Sequence, residues 1–317
     1  MTREPDRVVV LSGGVGGARF AAGMAMVVPP RALTVIVNVG DDFEPFGLRV
    51  CPDLDTVCYT LAGLENPETG WGRRDETWHA LETIETLGGP TWFRLGDRDL
   101  GLHLERTRRL REGQSLSRVT LDLCRALGVD VHVLPATDDP VRTWVHTDQG
   151  WLPFQEYFVR HRWQPRVLGL TYRGAAEARP AAGVLEALRE ADLVFLAPSN
   201  PWLSLDPILA IPGVRDALRP QRAVAVSPFI GGQAVKGPAA KIAHELGLLA
   251  SPLGLARYYQ DILRGLVIDQ VDAALAPRIT HETGVRVYIT DTWMRGPEGR
   301  ARVAQSAWMF ARALARA

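Results

Sequence analysis

Four short apolar runs punctuate the chain, RVVVLS (7–12), LTVIVNVG (33–40), DLVFLAPSNP (192–201) and AVAVSPFIGG (223–232), and VRVYITD (285–291) is a fifth candidate strand. Runs that are apolar throughout, rather than at alternate positions, belong to strands covered on both faces, as in a parallel sheet. The first run leads through GGVGG into the helix-like ARFAAGMAMVV, and the runs at 192–201 and 223–232 are likewise followed by helical pattern. An amphipathic helix, GRARVAQSAWMFARALARA, closes the chain. Strands alternating with helices predict a doubly wound α/β fold with a mainly parallel sheet. Two stretches depart from this pattern. Residues 71–128 read as helices with Gly-Asp turns, and residues 141–173 alternate as strands (VRTWVHT, then WLPFQEYFV) around Asp148-Gln149-Gly150. The reading is one domain over 1–317, with its core in 7–70 and 176–317 and an added helical and antiparallel region over 71–175.

Composition narrows the function. The 317 residues are 46% hydrophobic and 23% charged, which excludes a disordered chain and fits one large domain. Lys+Arg and Asp+Glu both count 36, so a broad basic surface for nucleic acid is not expected. Three cysteines, none in a C-x-x-C pair, predict a reducing compartment and no structural zinc site. No apolar run approaches ~18 residues, so the expectation is a cytoplasmic protein with no signal peptide and no membrane partner. Lys236 and Lys241 are the only lysines, and their shared segment suggests a specific task for Lys236.

Six motifs carry candidate chemistry. Ser12-Gly13-Gly14-Val15-Gly16-Gly17 lies between a strand and a helix, where glycines admit a phosphate to free helix N–H groups. It is not the dinucleotide fingerprint, because Arg19 breaks the spacing, and no Lys-Ser/Thr follows to make a P-loop. Gly40-Asp41-Asp42 ends the second strand. In Pro52-Asp53-Leu54-Asp55-Thr56 two carboxylates share one face if the backbone is extended. Carboxylates beside a phosphate site are the oxygen ligands that Mg²⁺ takes. Gly96-Asp97-Arg98-Asp99 reads either as a surface turn or as an arginine held between carboxylates. Pro198-Ser199-Asn200-Pro201 and Ser227-Pro228-Phe229-Ile230-Gly231-Gly232 follow buried strands, at the sheet edge where such folds bind ligands. Trp71, Trp78, Trp92 and Phe93 read first as core and second as a stacking wall for a flat ring. Together these residues predict a metal-dependent phospho-transfer enzyme or a nucleotide-binding protein.

The ordered set LSGGVGGARF, VNVGDD, CPDLDT, GDRD, FQEYFV, APSNPWLSLDPIL, IPGVRDAL, VSPFIGGQAVKGPAAK and YYQD resembles the 2-phospho-L-lactate transferase family of coenzyme F-420 biosynthesis, over about residues 7–310. The resemblance implies a Rossmann-like core, a Mg²⁺ requirement and a homodimer. It implies transfer of a phospholactyl or related group from a guanylylated diphosphate donor to the terminal hydroxyl of the deazaflavin Fo, with release of GMP. Lactyl, enolpyruvyl and glyceryl donors all remain open. Carried over by position, Asp42 and Asp55 are the catalytic candidates, and Asp42, Asp53 and Asp55 the metal ligands. Asp55, Asp97, Arg98 and Asp99 would contact Fo. Ser12, Gly13, Gly14, Gly16 and Gly17 would lie on the diphosphate. Ser199, Asn200, Ser227, Gly231, Gly232 and Lys236 would hold the nucleotide. The rival reading is a non-catalytic nucleotide-sugar-binding regulator of the same superfamily. An NAD-dependent dehydrogenase is disfavoured by Arg19.

Overall fold

The computed structural model describes residues 6–218, 222–235 and 237–316. Lys236 lies outside them, so the structure gives no account of its predicted role.

The first strand lies in the interior of the main sheet. Strand β1 (Val8–Ser12) is buried along its whole length and runs through Gly13 into helix α1 (Gly14–Val27). Strand β2 (Leu33–Val37) pairs parallel to β1, and β3 (His132–Pro135) pairs parallel to β2. Between them come α2 (Pro52–Leu61), α3 (His79–Thr86), α4 (Asp97–Arg111) and α5 (Leu116–Ala126). A three-stranded antiparallel sheet follows: β4 (Arg142–Thr147) lies between β5 (Gly150–Pro153) and β6 (Val167–Arg173). After α6 (Val184–Glu190) the chain returns to the main sheet as β7 (Leu193–Leu196), on the other side of β1. Short helices α7 (Asp206–Leu209) and α8 (Val214–Ala217) lead to β8 (Ala223–Val226). The hairpin β9 (Phe229–Ile230) and β10 (Gln233–Ala234) precedes α9 (Ala239–Glu245) and α10 (Pro252–Tyr258). Strand β11 (Gly265–Asp269), helix α11 (Ala276–Thr283), strand β12 (Arg286–Thr290) and helix α12 (Gly296–Arg316) complete the chain.

The seven-stranded sheet has the order β12-β11-β8-β7-β1-β2-β3, and every pairing in it is parallel. The doubly wound expectation is met. The chain reverses direction across the sheet between β1 and β7, and a crevice opens at the carboxyl ends of such a pair. Helix α1 packs on α2 and α12, with Phe20 and Met24 fully buried.

Two differences from the sequence reading matter. The region 71–175 is not one insertion, because β3 within it extends the main sheet. Its four residues end in a proline, tolerated at an edge, and the run is too short to read as a strand. The segment after β5 is a wide π-type turn over Glu156–Arg160 rather than a continued strand. A second π-type turn, Pro201–Leu205, follows the Pro198-Ser199-Asn200 loop. Single π turns of this kind occur often at functional sites.

Candidate functional site

A cleft of about 1270 Å³ opens at the β1/β7 crevice. Its floor is built by two loops that hold each other. Ser199 Oγ donates to Gly13 O (2.8 Å) and accepts from Gly13 N (3.3 Å). A Cβ on Gly17 would sit 2.6 Å from both Ser12 Oγ and Ser199 Oγ, so glycine there lets α1 close onto both loops. Gly13, Gly14, Val15 and Gly16 line the cleft, at a helix start that has no capping side chain of its own. The free N–H groups of such a helix start are an anion site. Ser12 is fully buried behind them, and Ser12 and Gly17 do not line the cleft; both serve packing. Asn200 Oδ1 accepts from Trp202 N and Leu203 N, while its Nδ2 is buried with no partner among the described residues. A buried donor left unpaired in a cleft wall is a hydrogen bond waiting for a ligand acceptor.

The carboxylates divide differently from expectation. Pro52 stands in the first turn of α2, so Asp53 and Asp55 are helical, not extended. Residues two apart on a helix do not face each other. Asp53 faces the floor: it accepts from Gly14 N (2.7 Å) and from Asn38 Nδ2 (2.9 Å). The same Asn38 nitrogen donates to Asp41 Oδ1 (3.0 Å), so one amide bridges two buried carboxylates. Burial raises Asp53 to about 6, and burial with the neighbouring Asp53 and Asp42 charges raises Asp41 well above the ordinary range. Both line the cleft.

Asp55 also lines the cleft, but both of its oxygens are engaged by the buried Arg106 guanidinium from α4. His103, also from α4, stands 3.7 Å away and is held neutral, its pKa lowered to about 4 chiefly by burial. Asp42 does not line the cleft. It is buried in an ion pair with Arg49 (3.2 Å), and burial raises its pKa. The trio Asp42, Asp53 and Asp55 is therefore not brought together. Among the described residues no group of three or more His, Cys, Asp or Glu side chains converges on a metal position. The pair that the fold does assemble is Asp41 and Asp53. Two carboxylates with depressed acidity beside a phosphate-type helix start fit Mg²⁺, which takes one or two carboxylates and fills its octahedron with water and phosphate oxygens.

The Gly96-Asp97-Arg98-Asp99 motif turns out to cap helices. Asp97 accepts from His79 N, Ala80 N and Thr77 Oγ1 at the start of α3, hydrogen bonds that lower its pKa. Glu76 in return accepts from Arg98 N and Asp99 N at the start of α4. Arg98 is exposed and does not line the cleft, and neither does Asp97. Only Asp99 does; burial raises it to about 7, and it accepts from Tyr59 OH (2.7 Å).

Ser227 lines the cleft, whereas Gly231 and Gly232 do not. Their φ values of 58° and 77° form the two-residue turn of the β9–β10 hairpin, where positive φ favours glycine. The Gly231 N–H is taken by Asp272. Lys241 is a strut, donating to Pro165 O and Glu245.

Sequence reasoning placed the tryptophans first in the core. Instead Trp71, Trp92 and Phe93 line the cleft beside Tyr59 and Asp99, with Trp71 47% exposed. Trp78 stacks under Arg94. Gln155 of the FQEYFV motif lines the cleft too, its amide anchoring Asp41 O (2.9 Å), and Arg162, Trp163 and Trp293, which no quoted motif contained, line it as well. One end of the cleft thus has N–H groups, carboxylates and hydroxyls, and the rest carries flat aromatic walls and arginines.

Comparison with known proteins agrees with this architecture. The family model for CofD, 2-phospho-L-lactate transferase, matches residues 8–294. The phosphoenolpyruvate transferase of Streptomyces coelicolor is 42% identical over 313 residues, covering 96% of this chain and 98% of that one. The 2-phospho-L-lactate transferase of Methanosarcina acetivorans is 38% identical over 298 residues, covering 94% and 97%. A crystal structure of a UPF0052 family member from Bacillus halodurans shares the fold at TM-score 0.61 and 16% identity, covering 96% of this chain and 99% of that one. No helix of the described residues is long and apolar enough to cross a membrane. From its glycine floor to its closing helix, the chain belongs to the CofD family of 2-phospho-L-lactate and phosphoenolpyruvate transferases, the transferases of coenzyme F-420 biosynthesis.

Proposed function

We propose that this chain, as a Mg²⁺-dependent homodimer, joins a guanylylated phosphoenolpyruvate- or phospholactate-type donor to the terminal hydroxyl of Fo and releases GMP. The observation that carries the reading is the cleft itself. A diphosphate site of helix N–H groups and paired carboxylates is continuous with an aromatic wall suited to a flat deazaflavin.

The chain's residues divide the work. The amides of Val15 and Gly16, with Asn200 Nδ2, bind the diphosphate, because the Gly13 and Gly14 N–H groups are taken by Ser199 and Asp53. Asp41 and Asp53 hold the Mg²⁺, which supplies charge neutralisation on the phosphoryl oxygens when bound. Trp71, Trp92 and Phe93 flank the deazaflavin ring. Asp55 keeps a lone pair on each oxygen beyond those Arg106 uses, so it orients an acceptor hydroxyl while its charge stays neutralised. Phosphoryl transfer asks mainly for alignment and electrostatics, and a rigid cleft floor supplies both. Tyr59 and Asp99 form a hydrogen-bonded pair on the acceptor side, where Asp99, protonated up to about pH 7, donates to a ring or ribityl oxygen.

The test mixes purified protein, Fo, Mg²⁺ and each guanylylated donor in turn (phosphoenolpyruvyl, phospholactyl, phosphoglyceryl), with mass detection of the phosphodiester and of GMP. Product with at least one donor, lost on chelation, is the expected result. Stabilisation by a UDP-sugar with no product from any donor would favour the regulator instead. Light scattering checks the dimer.

A further inference from the structure

Two residues at the cleft mouth pay a conformational cost that glycine would avoid. Arg162 and Trp163 both have φ of 50°, in the left-handed region. A Cβ there crowds the following carbonyl, and a bulky aromatic in this region is an outlier. They end the π-type turn Glu156–Arg160, a position where helices commonly place glycine. This chain follows that habit elsewhere: α11 ends at Gly284, with φ of 72°. The turn at 161–164 is held by backbone alone, through His161 N to Glu156 O (2.8 Å), Trp163 N to Tyr157 O (2.8 Å) and Gln164 N to His161 O (3.0 Å). Nothing in that scaffold requires an arginine or a tryptophan. Both side chains are exposed, Trp163 by 40%, and both line the cleft. Strain kept at such a place points to ligand clamps.

The neighbourhood says which ligand. Phe158 of the same turn approaches Gly237, where a Cβ would lie 3.9 Å from its ring, and Gly237 lines the cleft with Ser227, Pro228 and Ile230, the loop that the family resemblance assigns to the nucleotide. A guanidinium beside an indole matches an anionic group beside a flat ring, as in a purine nucleotide. Resting on the transferase reading above, we propose that Arg162 and Trp163 clamp the guanylyl half of the donor. The indole stacks on the purine and the guanidinium pairs with a phosphate oxygen.

The experiment titrates GDP with Mg²⁺ into wild type and into the Arg162→Gly/Trp163→Gly variant by calorimetry, with the melting temperature of each free protein and a parallel titration of Fo. The clamp predicts GDP binding at least tenfold weaker, a melting temperature equal to or above wild type because strain is relieved, and unchanged Fo binding. Trp163→Phe should recover most of the affinity that Trp163→Gly loses. Equal GDP affinity in wild type and double variant overturns the clamp while leaving the transferase reading intact. So does weaker binding accompanied by a lower melting temperature, or a loss confined to Fo. Failure of wild type to bind GDP at all overturns both together.

Discussion

Replacing Arg106 by methionine tests the account of Asp55 directly. The two side chains are 4% and 9% exposed, and the guanidinium meets both carboxylate oxygens, one of them at 3.1 Å. At that separation, and an effective dielectric constant near 20, the attraction is about 5 kcal/mol. Truncating one partner of a buried pair leaves the other charge unpaired and costs about 3–5 kcal/mol. With an unfolding entropy of about 2.1 cal/mol/K per residue, a chain of 317 residues loses about 4–8 °C in melting temperature. The assay is calorimetric or circular-dichroism melting of wild type, Arg106→Met, Asp55→Asn and the double variant. Because Asn carries no charge, the double variant should recover at least half of what Arg106→Met loses. An Arg106→Met protein that melts within about 1 °C of wild type would refute the reasoning. So would a double variant no more stable than that single one, because the loss would then not come from a stranded charge.

Two further predictions concern protons and metal. Asp99, raised to about 7 by burial, keeps a proton in the folded state that the unfolded chain has lost above about pH 4, so it makes stability fall as pH rises from 4 to 7. His103, lowered to about 4 by burial, works in the opposite sense and makes stability rise between pH 4 and 6.5. Urea unfolding at pH 5 and 6 should therefore show Asp99→Asn gaining stability with pH and His103→Gln losing it, each by about 1.4 kcal/mol per pH unit relative to wild type; slopes of the same sign would contradict both assignments. Asp41→Asn removes one of two like charges bridged by Asn38, so it should melt higher than wild type without Mg²⁺ and lose the wild type's Mg²⁺-dependent rise, both read by thermal melting.

Much of the site's location was legible in the chain, and little of its chemistry. The glycine turn and Pro198-Ser199-Asn200 each follow a continuous apolar run, and loops at those strand ends meet wherever a parallel sheet reverses its order. Strand β11, GLVID, escaped the reading because only Leu266, Val267 and Ile268 are apolar in a row, too short a run to tell from part of a buried helix. Asp41 and Asp42 are neighbours in a turn closed by Asp42 N to Val39 O (3.2 Å), and adjacent side chains there point apart. Nothing in the letters says which one faces the cleft. The Asp97-Arg98-Asp99 run looked like an anion grip, yet its first carboxylate caps one helix and its backbone is capped by Glu76 from outside the motif.

The sequence by itself determined the buried parallel core of the sheet, β1, β2, β7 and β8, and the crevice between β1 and β7, because these follow from local periodicity and the placing of turns. The tertiary structure alone decided which carboxylates pair, which are neutralised by Arg106 and Arg49, and which tryptophans wall the cleft. Those outcomes depend on contacts between residues far apart in the chain, such as Asp55 with Arg106 and Asp41 with Gln155, and no local pattern encodes them.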